Sequence, residues 1–193
     1  MKYRVLSLAV LAVGACSAEQ EAAPSGDLFD RLSAHCGEAY EGRVVSEDPR
    51  DADWAAQRLV MHVRECSPNE IRIPLHVGED RSRTWVITRM GEGQLRLKHD
   101  HRHEDGSEDV LTRYGGDTVE TPTAQRAEFP ADAYSRALFE REGIPASMDN
   151  VWSMTLTGDT FTYALDRPER HFEAAFDLTD PVDTPPPPWG AEE

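Results

Sequence analysis

The chain is 193 residues long, with 36 acidic against 20 basic side chains, and its formal charge at neutral pH is −16. That balance repels nucleic acid and anionic lipid through the overall field, so no nucleic-acid partner is expected. The length suits one domain with a real core, and no internal repeat is visible.

At the N-terminus, Lys2 and Arg4 give a short basic start, and residues 5–13 are apolar except for Ser7. The run is too short to be relied on as a membrane span and fits the apolar region of a cleaved signal. It leads into Val13-Gly14-Ala15-Cys16. These residues together resemble a bacterial lipoprotein signal peptide with its lipobox, and the resemblance covers only this export segment. It implies removal of residues 1–15, lipidation of Cys16 and attachment to a membrane through that lipid. It also implies a place in the cell envelope facing the periplasm, and Ser17 resembles the sorting signal for the outer rather than the inner membrane. Residues 16–26 then read as the lipidated cysteine and a polar, flexible tether, and residues 27–179 as a single domain. Residues 180–193, with prolines at 185–188, read as a disordered acidic tail.

Within the domain, residues 27–35 read as a short helix capped by Asp27, with Leu28, Phe29 and Leu32 on one stripe. Two cysteines remain after Cys16, namely Cys36 and Cys66. An even pair in an exported domain, with no Cys-x-x-Cys spacing, points to a structural disulfide. It would close a loop of about 30 residues and contribute about 3 kcal/mol in the chain-entropy picture. Residues 58–66 and 70–77 read as strands separated by Ser67-Pro68-Asn69, and residues 83–89 place Trp85 and Ile87 on one face.

Residues 95–114 are the chemically richest segment. They contain Lys98-His99-Asp100-His101-Arg102-His103, followed by Glu104-Asp105-Gly106. Asp105-Gly106 suits a type I′ turn. A hairpin centred there pairs His103 with Glu108, His101 with Val110 and His99 with Thr112. His99, His101 and His103 then continue the apolar face of Leu95 and Leu97. Three readings stay open. In the first, the histidines decorate a solvated hairpin tip. In the second, His101 with one neighbour, His103 being the candidate, holds a zinc or copper ion together with Glu108 or a residue from elsewhere. Imidazoles at i and i+2 stand about 7 Å apart along a strand and can converge, whereas His99 and His103 are about 13 Å apart. In the third, the face is the polar mouth of a cavity. Either functional reading brings pH dependence near pH 6. His35, His62, His76 and His171 are scattered and read as surface or satisfied core residues, and Gly115-Gly116 reads as a bulge or bend.

Pro130-Ala131-Asp132 opens a second helix that Gly143 closes, with Tyr134, Ala137, Leu138 and Arg141 on one side. The clearest hairpin occupies residues 151–166 around Gly158-Asp159. Its register pairs Leu156 with Phe161, Met154 with Tyr163 and Trp152 with Leu165 on a large apolar face. Phe172, Ala174, Phe176 and Leu178 alternate along a last strand. About nine or ten strands with two short helices and mostly tight links predict a mainly β fold. The expected architecture is an antiparallel meander closing into a barrel, which removes the sheet edges. In outline this resembles the calycin barrels, the lipocalins and their relatives, although no Gly-x-Trp stands on the first strand. The resemblance implies a cavity for a small apolar or amphipathic ligand, with His99, His101, His103, Tyr114, Trp152 and Tyr163 as candidate contacts. The competing classes are an envelope metal-binding protein and a ligand-free scaffold or interaction protein using the acidic surface and the proline tail. An enzyme is least supported, since there is no Gly-x-Ser-x-Gly, no His-Glu-x-x-His and no legible nucleophile–base pair.

Overall fold

The computed structural model describes residues 26–191; the expected signal peptide, the lipobox with Cys16 and tether residues 17–25 lie outside the described residues. Asp27 accepts a hydrogen bond from the Asp30 N–H at 3.0 Å and starts helix α1 (Leu28–Ser33), which buries Leu28, Phe29 and Leu32. Six strands lie in the next part of the chain: β1 (Ala39–Val44), β2 (Leu59–His62), β3 (Glu65–Cys66), β4 (Glu70–Val77), β5 (Asp80–Arg89) and β6 (Leu95–His101). Five more follow: β7 (Tyr114–Asp117), β8 (Arg126–Pro130), β9 (Val151–Thr157), β10 (Thr160–Arg167) and β11 (Arg170–Val182). A single helical turn, α2 (Ala52–Ala55), lies between β1 and β2, and α3 (Ala133–Arg141) lies between β8 and β9.

Every pairing is antiparallel, in the order β7-β6-β5-β4-β2-β1-β11-β10-β9-β8, with β3 set aside on β4. This is a meander whose first and last strands join each other. Ten strands therefore make a nearly closed barrel, and the seam falls in mid-chain between β7 and β8. The start of α3 bridges that seam. The Asp132 N–H donates to the Gly115 carbonyl at 3.0 Å, and the fully buried Ser135 hydroxyl accepts from the Gly115 N–H at 2.7 Å. Gly116 lies so close to β8 that a Cβ would sit 1.8 Å from the Pro130 carbonyl oxygen.

Alternation points the large side chains inward. The β9–β10 hairpin has the expected register, with Leu156 opposite Phe161, Met154 opposite Tyr163 and Trp152 opposite Leu165. Trp85, Phe161 and Phe176 meet inside the barrel with ring centroids 6.1 to 6.4 Å apart, and apolar side chains fill its middle. Helix α1 plugs one end. Arg31 ties it there by donating to the carbonyls of Ala124 and Leu156 at 2.9 and 2.7 Å. Arg89 pairs with Asp27 at 2.8 Å and lies 4.3 Å over the Phe29 ring. The Cys36–Cys66 disulfide is formed and links the segment after α1 to β3.

Three expectations change in detail. Residues 58–66 form two strands, because Val63 leaves the β2 ladder and exchanges backbone hydrogen bonds with Gly37 and Glu38. Helix α3 buries Ser135, Leu138 and Phe139 while Tyr134 is half exposed, since the helix serves the seam and the barrel end. The stretch from residue 180, read as a disordered tail, lies against the barrel through Ala191. Strand β11 runs on to Val182, and the prolines then carry the chain along the outer wall. There the Trp189 N–H donates to the Arg81 carbonyl, and Arg81 Nη1 donates to the Pro187 carbonyl, both at 3.1 Å. A proline run is already extended, so docking it costs little conformational entropy.

Candidate functional site

The inward faces of several strands end in polar residues at the same end of the barrel. Arg83 stands two residues before Trp85 on β5, and His101 two residues after His99 on β6. Arg167 follows Leu165 on β10, Arg170 precedes Phe172 on β11, and Asn150 precedes Trp152 on β9 at the same spacing. Pairing sets Arg83 opposite His101 and Arg167 opposite Arg170, so these ends share one rim, away from α1. Below the rim is a cup of about 410 Å³. The barrel interior is otherwise filled, so the expected cavity is confined to this mouth. Its size falls within the range of small-molecule sites.

The walls of the cup are aromatic. Trp85 stacks on Tyr163 at 4.4 Å across the interior, and His99 stacks on Tyr114 at 4.5 Å. Trp54 of α2 meets Phe172 edge to face at 5.3 Å, and Phe139 of α3 lies 5.4 Å from Tyr114. The His99 ring is held at both nitrogens. Nδ1 lies 3.1 Å from the Tyr114 carbonyl, which can only accept, so Nδ1 carries the proton. Nε2 is therefore the acceptor for the Tyr163 hydroxyl at 2.7 Å. Burial, with His101 adding a smaller effect, pushes the His99 pKa down to about 3. Burial, then the Arg83 charge, lowers His101 to about 4. Burial also raises the Tyr114 and Tyr163 hydroxyls well above their usual range. At neutral pH the imidazoles and phenols of the cup are thus uncharged.

Formal charge in the lining comes from Arg50, Arg83, Arg167 and Arg170 against a single carboxylate, Asp51. Buried Asp51 pairs with Arg170 and accepts from the Ser46 hydroxyl at 2.6 Å. Behind it, Asp48 pairs with both Arg50 and Arg170, and the Arg50 hydrogen bonds hold its carboxyl well below the usual range.

Of the six candidate contacts, His99, His101, Tyr114, Trp152 and Tyr163 line this one cup. His103 does not. Its side chain is 57% exposed at the hairpin tip, 3.9 Å from Asp109. The turn is one residue longer than expected. The Gly106 N–H donates to the His103 carbonyl, the His103 N–H donates to the Ser107 carbonyl, and Gly106 takes a φ of +83°. Glu104-Asp105-Gly106 is therefore a three-residue loop and not a type I′ turn. The slip sets Arg102, not His103, opposite Glu108, and Glu108 binds Arg102 and Arg113. Residues 109–113 leave the regular ladder, with Leu111 in the cup lining and Thr112 buried, before Tyr114 re-pairs opposite His99. His101, His103 and Glu108 are accordingly not brought together, and no group of three or more metal-ligating side chains is placed to hold an ion among the described residues.

The arginines and Asn150 were not read as site residues. A signal exists for Arg83, Arg167, Arg170 and Asn150, each of which extends an inward apolar alternation by one step at the same end of the sheet, but not for Arg50, which lies in the turn before α2. No family model, curated protein or solved structure matches the chain. The likeness to calycin barrels therefore stays one of outline, and the site's chemistry has to be argued from its own residues.

Proposed function

We propose that this protein is a lipid-anchored component of the bacterial cell envelope whose barrel holds a small apolar or amphipathic molecule. The observation that supports binding is the cup itself. It is an aromatic-walled space of about 410 Å³ at one mouth of a barrel whose remaining interior is filled by its own side chains. Its lining joins aromatic faces to a few converging polar groups, the make-up of small-molecule sites. Anchoring rests on the lipobox residues around Cys16, and the outer membrane is the favoured location because of Ser17.

Native mass spectrometry of the chain exported to a periplasm tests the binding reading. A mass excess that disappears on denaturation is expected, of a size belonging to a small organic molecule. A bare mass that stays bare after incubation with amphiphiles would overturn it. For the anchor, Cys16→Ala should abolish incorporation of labelled fatty acid; incorporation that persists in the variant would rule Cys16 out.

A further inference from the structure

The rim keeps cationic hydrogen-bonding capacity that the fold does not use. Arg83 bonds Asp80 through Nη2 at 2.8 Å and lies 4.7 Å over the Trp54 ring, yet its Nη1 is buried with no hydrogen-bond partner among the described residues. Arg167 donates to the Ser147 hydroxyl at 2.9 Å and has no carboxylate partner among the described residues. Arg50 and Arg170, by contrast, are committed to Asp48 and Asp51. The Asn150 side-chain oxygen is buried beside the same cup and also lacks a partner among the described residues. Native folds leave few buried polar atoms unmatched, and leaving one costs about 1–3 kcal/mol. The unmatched Arg83 Nη1, with the Arg167 guanidinium free of any carboxylate among the described residues, calls for a ligand acceptor, while Asn150 Oδ1, itself an acceptor, would take a donor on the same molecule.

The chemistry of that ligand follows. A guanidinium N–H takes an acceptor, and a charged acceptor gains about twice as much as a neutral one. Trp85 and Tyr163 touch across the interior, so Arg83 and Arg167, from the same two strands, rise from opposite walls of the mouth. Below them the cup offers aromatic faces and neutral imidazoles, suited to an uncharged ring or short chain. We propose that the cup takes a small monoanionic amphiphile, with its carboxylate- or sulfonate-type head read by Arg83 and Arg167 and an apolar, aromatic body against Trp85 and Tyr163. This deepens the binding reading above and rests on the cup being a ligand site.

A matched pair of probes separates the two claims. 8-Anilinonaphthalene-1-sulfonate and N-phenyl-1-naphthylamine share one ring system and differ by the sulfonate. Binding of each to the full chain is read as energy transfer from the tryptophans of the cup. The anionic probe should bind with a stoichiometry of one and about tenfold more tightly than the neutral probe. Arg83→Gln and Arg167→Gln should each weaken the anionic probe about tenfold and leave the neutral probe unchanged. Arg83→Gln also takes from Asp80 its ion-pair partner, so Arg167→Gln, which gives up only a bond to Ser147, decides if the first variant fails to fold. Equal affinity for the two probes, or an anionic affinity untouched by Arg167→Gln, overturns the anion proposal while the cup remains a site for neutral molecules. Energy transfer from neither probe overturns the cup reading as well.

Discussion

His99 is where the barrel interior turns from apolar to polar. Its Nδ1 donates to the Tyr114 carbonyl and its Nε2 accepts from Tyr163, so the neutral ring is complete. A proton on Nε2 would remove that acceptor and enclose a charge. Burial holds His99 near 3 and His101 and His76 near 4, against an unfolded value of about 6.5. Between those limits the unfolded chain binds protons that the native chain refuses. The stability from these groups is therefore complete above pH 6.5 and is lost as pH falls toward 4, at about 1.4 kcal/mol per pH unit for each histidine. Urea midpoints should decline steadily from pH 7 to pH 4.5, a window above most carboxylate titration. His99→Gln should be less stable at pH 7, by about 1–3 kcal/mol, yet show a flatter decline, shallower by about one proton. An unchanged slope would exclude His99 as one of the protons taken up on unfolding.

Among the elements, the seam between β7 and β8 is the barrel's weakest junction. A backbone hydrogen bond from Asp132 and the Ser135 hydroxyl bridge it, and Gly116 leaves no room for a side chain. Gly116→Ala must push β8 away. A loss of about 1–3 kcal/mol is expected, with faster amide exchange at Asp132 and little change in the β9–β10 hairpin. Uniform loss of protection would show that the seam does not open separately. How well each element could be read from sequence depended on whether independent signals agreed. In the β9–β10 hairpin, the turn and the separation of faces both demand one register, and that register is found. In the hairpin after β6, Asp105-Gly106 suits loops of two or three residues, and neither face was apolar enough at the tip to choose. The ion pairs of Arg102 and Arg113 with Glu108 go with the longer loop. Part of the aromatic wall, Tyr114, Trp152 and Tyr163, is legible from strand alternation, whereas Trp54 and Phe139 come from helices packed on the mouth and carry no such signal. Arg83, Arg167 and Arg170 look in sequence like ordinary solvent-facing strand ends, since the closure that turns them inward exists only in three dimensions.

At the scale of the molecule, closure depends on residues far apart in the chain, because β1 pairs with β11. The Cys36–Cys66 bond works against the entropy of the open chain by holding the segment between α1 and β1 to β3. Its reduction should lower stability by about 2–5 kcal/mol, read as the difference in urea midpoint with and without reductant. A Cys36→Ala/Cys66→Ala pair that unfolds at the wild-type midpoint would show that the bond constrains nothing. The two ends of the barrel are also unlike: the chain enters at residue 26 beside the plug formed by α1, and the cup opens at the far end. With acyl chains on Cys16, as proposed, the anchor would join the barrel at its plugged end and leave the mouth unobstructed, so that a ligand of the cup could reach it through water.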